Sequence, residues 1–202
     1  MGRVTMSSRP AELMAGEILP EEELRPFLAG CGSGVRVFRG SRLVGAERIR
    51  IGDASQIDEG VWLFAGLGIE IGRHVHFAFG SSVSGGGRCV LGDYVSIGAG
   101  VRLVTGSDDI AGRGLTNPTI PPESRSVSRG RVEIGSHAVI FTGCIVLPGV
   151  TVGEGAVVGA GSLVHHDLKP WGIYAGQPLV QVGVRPDGEI RALAARLEKV
   201  SQ

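Results

Sequence analysis

The sequence predicts an all-β solenoid, a parallel β-helix of hexapeptide repeats, because aliphatic residues recur with a six-residue period. Between Val132 and Val164 they stand at Ile134, Ile140, Val146, Val152, Val158 and Val164. Four positions after these, most side chains are small, as at Ala138, Cys144, Ala156 and Ser162. This period matches neither a helix nor an alternating strand, whereas short strands joined by tight turns satisfy it.

A longer repeat that starts at residue 31 supports the same fold. The segments CGSGVR, IGDASQ, IGRHVH and LGDYVS begin at residues 31, 51, 71 and 91, so they recur every twenty residues. Each unit holds three hexads and two extra residues, which predicts a triangular prism with an insertion at the same corner of successive coils. The predicted interior positions are Cys31, Val37, Leu43, Ile51, Ile57, Leu63, Ile71, Phe77, Val83, Leu91, Ile97 and Leu103.

Composition fits one soluble domain with appended ends, since 202 residues carry 20 Lys and Arg, 20 Asp and Glu, and 43% hydrophobic residues. No basic surface suggests nucleic acid as a partner, and no run is long enough for membrane insertion. The N-terminal MGRVTMSSRP lacks the apolar segment of a secretion signal, so a cytoplasmic location is expected. Cys31, Cys89 and Cys144 have no CxxC spacing, which favours reduced thiols over disulfides or structural zinc.

Residues 1–30 precede the repeat and predict a helical cap. Two short helices are expected, from Ala11 to Ile18 and from Glu21 to Leu28, the second after Pro20 and with three glutamates in its first turn. The end of a solenoid exposes a hydrophobic cross-section, so such a lid is needed there.

The β-helix is expected over residues 31–185, with one long external loop at about residues 104–131. The period breaks after Leu103 and resumes at Ile134, and the loop's glycines and prolines predict that it contains no regular element. Loops of this length in compact domains are usually functional or disordered. This one carries the acidic pair Asp108 and Asp109 where it leaves the prism; a solvated turn without chemistry is the alternative.

Residues 186–202 are predicted to form a C-terminal helix capped by Asp187. Its apolar residues stand at helical spacing and indicate a packing role; they are Ile190, Leu193, Ala194 and Leu197.

The run from Ile134 to Pro178 resembles the hexapeptide-repeat acyltransferases in its repeat, its external loop and an exit sequence of the GNPA type. The segments TGSDD, LTNPTIP and KPWGIYAGQP are most similar to N-acetyltransferases of nucleotide-linked amino sugars, including perosamine-type enzymes of O-antigen synthesis, and more loosely to maltose and galactoside O-acetyltransferases. The resemblance implies a left-handed β-helix, a homotrimer, and acetyl transfer from acetyl-CoA to the amine of a nucleotide sugar.

The external loop favours N-acetylation over O-acetylation. In the similar O-acetyltransferases this loop begins with a histidine that acts as general base, and here Asp108 stands near that place. A sugar hydroxyl needs a strong base, whereas an amine titrates nearer neutrality, at about 8 for an α-amino group, and tolerates a weaker one. Asp108 and Asp109 are expected to hold the ammonium group or to accept its proton through water. O-acetylation of the maltose or galactoside type stays open.

Two histidines are candidates for the general base. His76 ends the hexad IGRHVH on an outward strand face, where the resemblance places an acceptor-contacting residue from a neighbouring subunit, so it is the first candidate base and acceptor ligand. A face residue buried only by trimer contacts is the alternative. His137 follows the loop at a corner of the prism and is the second candidate, whereas His74 is interpreted as a turn residue.

The cofactor groove is inferred from the same resemblance, in which acetyl-CoA lies along the prism between subunits. Small residues on successive coils let the pantetheine arm approach the backbone, and cations bind the phosphates. The corresponding positions are Thr142, Gly143, Gly159 and Ala160, with His166 and Arg185 as candidates for the phosphates.

Other classes fit the sequence less well. Zinc-dependent γ-type carbonic anhydrases share the fold but need a histidine pair separated by four residues, which this chain lacks, so no metal is predicted. Serine acetyltransferase is disfavoured because its histidine segments are absent. A non-catalytic trimeric scaffold stays open, although it would not need the GSDD loop or the glycine-lined groove.

Overall fold

The computed structural model describes residues 16–200, without the side chain of Val200, and confirms a left-handed parallel β-helix. Its strands are, in chain order, β1 (Ile18–Leu19), β2 (Gly30–Cys31), β3 (Arg36–Phe38), β4 (Arg42–Val44), β5 (Ile49–Ile51), β6 (Gln56–Ile57), β7 (Trp62–Phe64), β8 (Gly68–Ile71), β9 (His76–Phe77), β10 (Ser82–Ser84), β11 (Arg88–Leu91), β12 (Ser96–Ile97), β13 (Arg102–Val104), β14 (Gly106–Asp108), β15 (Val127–Arg129), β16 (Arg131–Ile134), β17 (Val139–Ile140), β18 (Ile145–Val146), β19 (Thr151–Val152), β20 (Val157–Val158), β21 (Leu163–Val164), β22 (Gly172–Ala175) and β23 (Val180–Val184).

Three sheets form the faces of the prism. Sheet A has the order β1-β3-β6-β9-β12-β17-β20-β22-β23, sheet B the order β19-β16-β11-β8-β5-β2, and sheet C the order β21-β18-β13-β10-β7-β4. The chain runs from sheet B to sheet A, then to sheet C and back to sheet B. We name each edge of the prism after the two sheets that the chain connects there: the BA corner, the AC corner and the CB corner. The predicted insertions all lie at the CB corner.

The interior is a single column of apolar side chains. The predicted interior positions are buried, except that Cys31 and Leu43 on the first coil are only partly covered. Burial raises the pKa of the Cys89 thiol to about 12, and Cys31, Cys89 and Cys144 are all free. No helix among residues 16–200 has the length and apolar character to span a membrane.

The predicted N-terminal cap is only partly correct. Ile18, the last residue of the first predicted helix, belongs to β1, which pairs antiparallel with β3. Residues 11–15 of that predicted helix lie outside the described residues. The second helix, α1 (Glu21–Leu24), ends before the predicted Leu28, since Pro26 offers no N–H to continue the hydrogen-bond ladder. Leu24 and Leu28 nevertheless join the core, as a lid requires.

The external loop contains regular structure, which the sequence reasoning excluded. Strands β14 and β15 form an antiparallel pair at its base, and a 3-10 turn spans Pro122–Ser124. The prolines all lie between the two strands, so they do not disturb the pairing.

The chain leaves the coil through β22 and reverses into β23, which pairs with it antiparallel. The predicted C-terminal helix is present as α2 (Gly188–Val200). It packs along the BA corner through two ion pairs, Arg191 with Glu154 at 2.8 Å and Glu198 with Arg73 at 3.0 Å.

Candidate active site

A hydrogen-bonded chain of three side chains lies on the outer face of sheet A. His76 Nε2 is 2.9 Å from Asp58 Oδ2, and Gln56 Nε2 donates to Asp58 Oδ1 at 2.6 Å. A carboxylate only accepts, so in the neutral ring Nε2 carries the proton and Nδ1 has the lone pair. The His76 side chain is 43% exposed. The imidazole is therefore held in one orientation, and in its neutral form Nδ1 is the accepting nitrogen.

The register of the repeat builds this arrangement. Gln56 and His76 are Cα partners on adjacent coils, and Asp58 lies two residues beyond Gln56 on the same face. Ile57 and Phe77 point inward and are fully buried. The residues next to them in sequence, Gln56, Asp58 and His76, therefore point outward. The sequence reasoning missed Gln56 and Asp58, although the twenty-residue spacing that aligns positions 56 and 76 was a usable signal.

The predicted acidic pair separates into two roles. Asp108 forms an ion pair with Arg125 at 2.9 Å and accepts the Asn117 N–H at 3.1 Å, and these bonds, Arg125 first, lower its pKa. Asp108 is therefore a carboxylate at neutral pH, and it lines a groove of about 510 Å³ beside the CB corner.

The carboxylate of Asp109 is held inside the external loop. It pairs with Arg113 and accepts the Ala111 N–H at 2.7 Å, which lowers its pKa. Only 6% of its side chain is exposed. This placement gives the predicted substrate contact of Asp109 no support, because the loop covers its carboxylate, whereas 30% of the Asp108 side chain is exposed.

One chain does not bring His76 and Asp108 together. His76 lies on sheet A, whereas Asp108 lies at the CB corner, which is opposite that sheet in a triangular prism. A site that uses both residues needs two copies of the chain.

His137 belongs to an aromatic ladder at the BA corner. His74, Tyr94 and His137 stack on successive coils, with ring centroids 5.2 and 5.0 Å apart. Trp171 lies two coils beyond His137, and its indole covers the intervening Gly155 and comes within 6.2 Å of the His137 ring. All four aromatic residues have positive φ. Burial lowers the pKa of His137, so its neutral form is favoured there. The predicted corner positions of His74 and His137 are confirmed, and the ring of His137 lies under α2, away from both the external loop and His76.

The four small residues predicted for the cofactor form a continuous strip at the AC corner. Thr142 and Gly143 lie one coil before Gly159 and Ala160, and the Gly161 N–H donates to the Thr142 carbonyl at 2.9 Å. Thr142, Gly143 and Ala160 are exposed, and a Cβ on Gly143 would meet nothing within 4 Å. An extended ligand can therefore lie against the backbone here.

The two predicted phosphate ligands are not part of this strip. Arg185 donates to the carbonyls of His137 and Gly155 at 2.7 and 3.2 Å, so its guanidinium ties together two coils at the BA corner. His166 is exposed at the CB corner, edge-on to His165. Neither placement supports a contact with a ligand on the strip. Among the residues that the structure describes, no cluster of three His, Cys, Asp or Glu side chains could hold a metal ion.

Comparison with known proteins agrees with the hexapeptide-repeat fold. Residues 131–166 match the family model described as bacterial transferase hexapeptide (six repeats). The chain is 33% identical over 155 residues to the dTDP-4-amino-4,6-dideoxy-D-glucose acyltransferase of Escherichia coli, which covers 76% of this chain and 81% of that enzyme.

Solved structures of AntD, an N-acyltransferase from Bacillus cereus, are also similar. A variant in complex with dTDP-4-amino-4,6-dideoxyglucose and coenzyme A gives a TM-score of 0.85 at 27% identity, over 92% of this chain and 99% of AntD. The complex with dTDP and 3-hydroxybutyryl-CoA gives 0.82 at 26% identity, over 93% and 100%. A perosamine N-acetyltransferase variant from Caulobacter crescentus shares the fold, with a TM-score of 0.56 at 23% identity over 74% of this chain and 56% of that one.

Proposed function

We propose that this chain, which belongs to the hexapeptide-repeat acyltransferases of nucleotide-linked amino sugars, transfers an acyl group from acyl-CoA to the amine of such a sugar. The observation that carries the proposal is the 33% identity with an enzyme named for this reaction, which extends over 81% of that enzyme. Residues 31–185 would be the acyltransferase domain, with residues 1–30 as its N-terminal cap and residues 186–202 as its C-terminal helix. Both substrates are cytoplasmic metabolites, which supports a cytoplasmic location.

The chemistry needs one proton to leave the amine as the new bond forms. In this proposal the amine nitrogen attacks the thioester carbon, His76 Nδ1 accepts the amine proton, and the coenzyme A thiolate leaves and is protonated. Asp58 stabilises the imidazolium, since it already accepts from His76 Nε2 at 2.9 Å. Asp108 of a neighbouring subunit orients the amine by accepting a hydrogen bond from it.

The outer faces support a trimer. Sheet B carries charged pairs, Arg88 with Glu70 and Arg131 with Glu133, as a solvent-facing surface would. Sheet C and the AC corner instead expose large apolar side chains, with Trp62 at 52% and Phe79 at 65%. A contact between sheet C of one copy and sheet A of the next would close into a trimer under three-fold symmetry, and it would bring His76 toward the groove beside Asp108.

We expect light scattering to give active enzyme a mass three times the 21.0 kDa of the chain. Active protein at the monomer mass would rule out the shared site, because His76 and Asp108 lie on opposite sides of one chain.

Replacement of Ala160 by tryptophan should block the strip at the AC corner. Ala160 is exposed and contributes nothing to the interior column, so folding should survive while the affinity for coenzyme A falls. Isothermal titration with coenzyme A measures the loss, and the thermal midpoint checks the fold. Unchanged affinity would place the cofactor elsewhere.

The reaction itself is tested with a panel of nucleotide-linked amino sugars, each offered with acetyl-CoA and with longer acyl-CoA donors. Mass spectrometry identifies the acylated product, and mild alkaline hydroxylamine distinguishes an amide, which survives, from an ester, which is cleaved. A labile product would favour O-acylation, and the absence of any product across the panel would contradict the proposal.

A further inference from the structure

The groove at the CB corner is larger than contact with an amine alone would require. It lies between the external loop and the turns of neighbouring coils, and its volume of about 510 Å³ is within the range of small-ligand sites. Phe64 and Leu67 form its apolar wall, and Pro118 and Arg125 of the loop face them. The groove therefore has room for a substantial part of the acceptor.

The floor of the groove is bare backbone. A Cβ on Gly66 would collide with the Gly86 carbonyl, and a Cβ on Gly85 would collide with the Gly106 nitrogen, so adjacent coils touch backbone to backbone. Glycine is required at both positions, which also have positive φ. The groove is consequently lined by glycine backbone between its side-chain walls.

Arg129 supplies an unneutralised positive charge above this floor. A Cβ built on Gly86 would lie 3.2 Å from Arg129 Nε and 3.4 Å from Phe64 Cε1, so the guanidinium and the ring flank one space. Arg125 is neutralised by Asp108 at 2.9 Å. Arg129, by contrast, has no ion pair or side-chain hydrogen bond among residues 16–200, and its charge remains available to a ligand.

We propose that this groove holds the nucleoside diphosphate of the acceptor, with the phosphates on Arg129 and the base against Phe64. Guanidinium groups bind phosphates through charge-assisted hydrogen bonds, and aromatic rings stack on bases of any sequence. The sugar then extends toward Asp108, whose carboxylate lines the same groove. The inference rests on the proposed function, because it assigns the nucleotide of that acceptor.

Coenzyme A also contains a nucleoside diphosphate, so the groove could hold either the acceptor or the cofactor. The acceptor is favoured because Asp108 shares the groove with Arg129, whereas the exposed strip for an extended pantetheine arm lies at the AC corner, on the far edge of sheet C.

Binding of dTDP and of coenzyme A, measured separately by isothermal titration, tests the site without turnover. Arg129→Gln should weaken dTDP about tenfold to a hundredfold, as expected for loss of hydrogen bonds to a charged group, and Arg129→Lys should retain part of the affinity. Arg131→Gln is the matched control, because Arg131 lies two residues away, is exposed and already pairs with Glu133. It should bind dTDP as the unaltered protein does, and all variants should bind coenzyme A equally.

Three outcomes would overturn the assignment: no dTDP binding by the unaltered protein, equal binding by Arg129→Gln, or a loss confined to coenzyme A, which would assign the groove to the cofactor. The proposed function fails separately. If dTDP binding depends on Arg129 but no amino sugar is acylated, the nucleotide site is correct and the proposed reaction is wrong. If an amino sugar is acylated equally well without Arg129, the proposed reaction is correct and the nucleotide site is wrong.

Discussion

His76→Asn should lower turnover by a factor of about a hundred to ten thousand, the usual cost of losing a general base. Asparagine keeps a polar side chain on the outer face of sheet A but cannot take a proton at neutral pH. Coenzyme A binding should be unchanged, because the strip at the AC corner is intact. Raising the pH should restore part of the rate, since more of the amine, with a pKa near 8 for an α-amino group, is then unprotonated.

Two further variants make this prediction specific. Asp58→Asn should reduce turnover less than His76→Asn does, because the base remains and only its hydrogen-bond partner is weakened. His137→Asn should also do less, since that ring is stacked between Tyr94 and Trp171 under α2. Near-normal turnover of His76→Asn at neutral pH, together with a large loss in His137→Asn, would transfer the role to the corner histidine.

Phe77→Ala should lower the free energy of unfolding by about 3 to 5 kcal/mol, the usual cost of truncating a buried phenylalanine to alanine. Phe77 is fully buried and follows His76 on β9, so its packing also fixes the direction of the catalytic candidate. A loss of this size is a large part of a total stability of about 5 to 15 kcal/mol.

Urea unfolding followed by circular dichroism measures the change, and Phe27→Ala is the control. Phe27 loses the same atoms from a site that is 68% exposed, so its effect should stay within about 0.5 kcal/mol. A cost below about 1 kcal/mol for Phe77→Ala would mean that the interior column at this coil is not packed as described.

The hexapeptide period predicted the interior well because each inward position repeats a constraint from the coil below it. Phe77, for example, lies directly over Ile57 and under Ile97, so its burial follows from spacing alone. The outward positions obey no such rule. The contact between His76 and Asp58 depends on which residues occupy neighbouring outward positions on sheet A. The repeat spacing permits this contact but does not require it.

Predictions were weakest where the chain leaves the repeat. Arg185 was expected near cofactor phosphates because of its place after the exit segment, yet β23 reverses direction and carries it to the BA corner. The helix predicted through Ile18 is a strand there, because β3 offers an open sheet edge that local propensity does not reveal. The base of the external loop pairs for a related reason, since β13 in sheet C and β16 in sheet B bring its two ends together at the CB corner.

Helix α2 connects coils of the solenoid that do not contact each other directly. Thirteen residues span about 20 Å, and strands about 4.8 Å apart mean that the helix runs beside roughly four coils. It is tied to Glu154 near one end and to Arg73 near the other, residues that belong to distant parts of the sequence. A stack of coils otherwise opens from its ends, each coil held only by its neighbours. Here the sixth coil cannot open without breaking its ion pair with α2, which also holds the third coil, so amide exchange in β20 should be slower than its place near the end of the stack predicts.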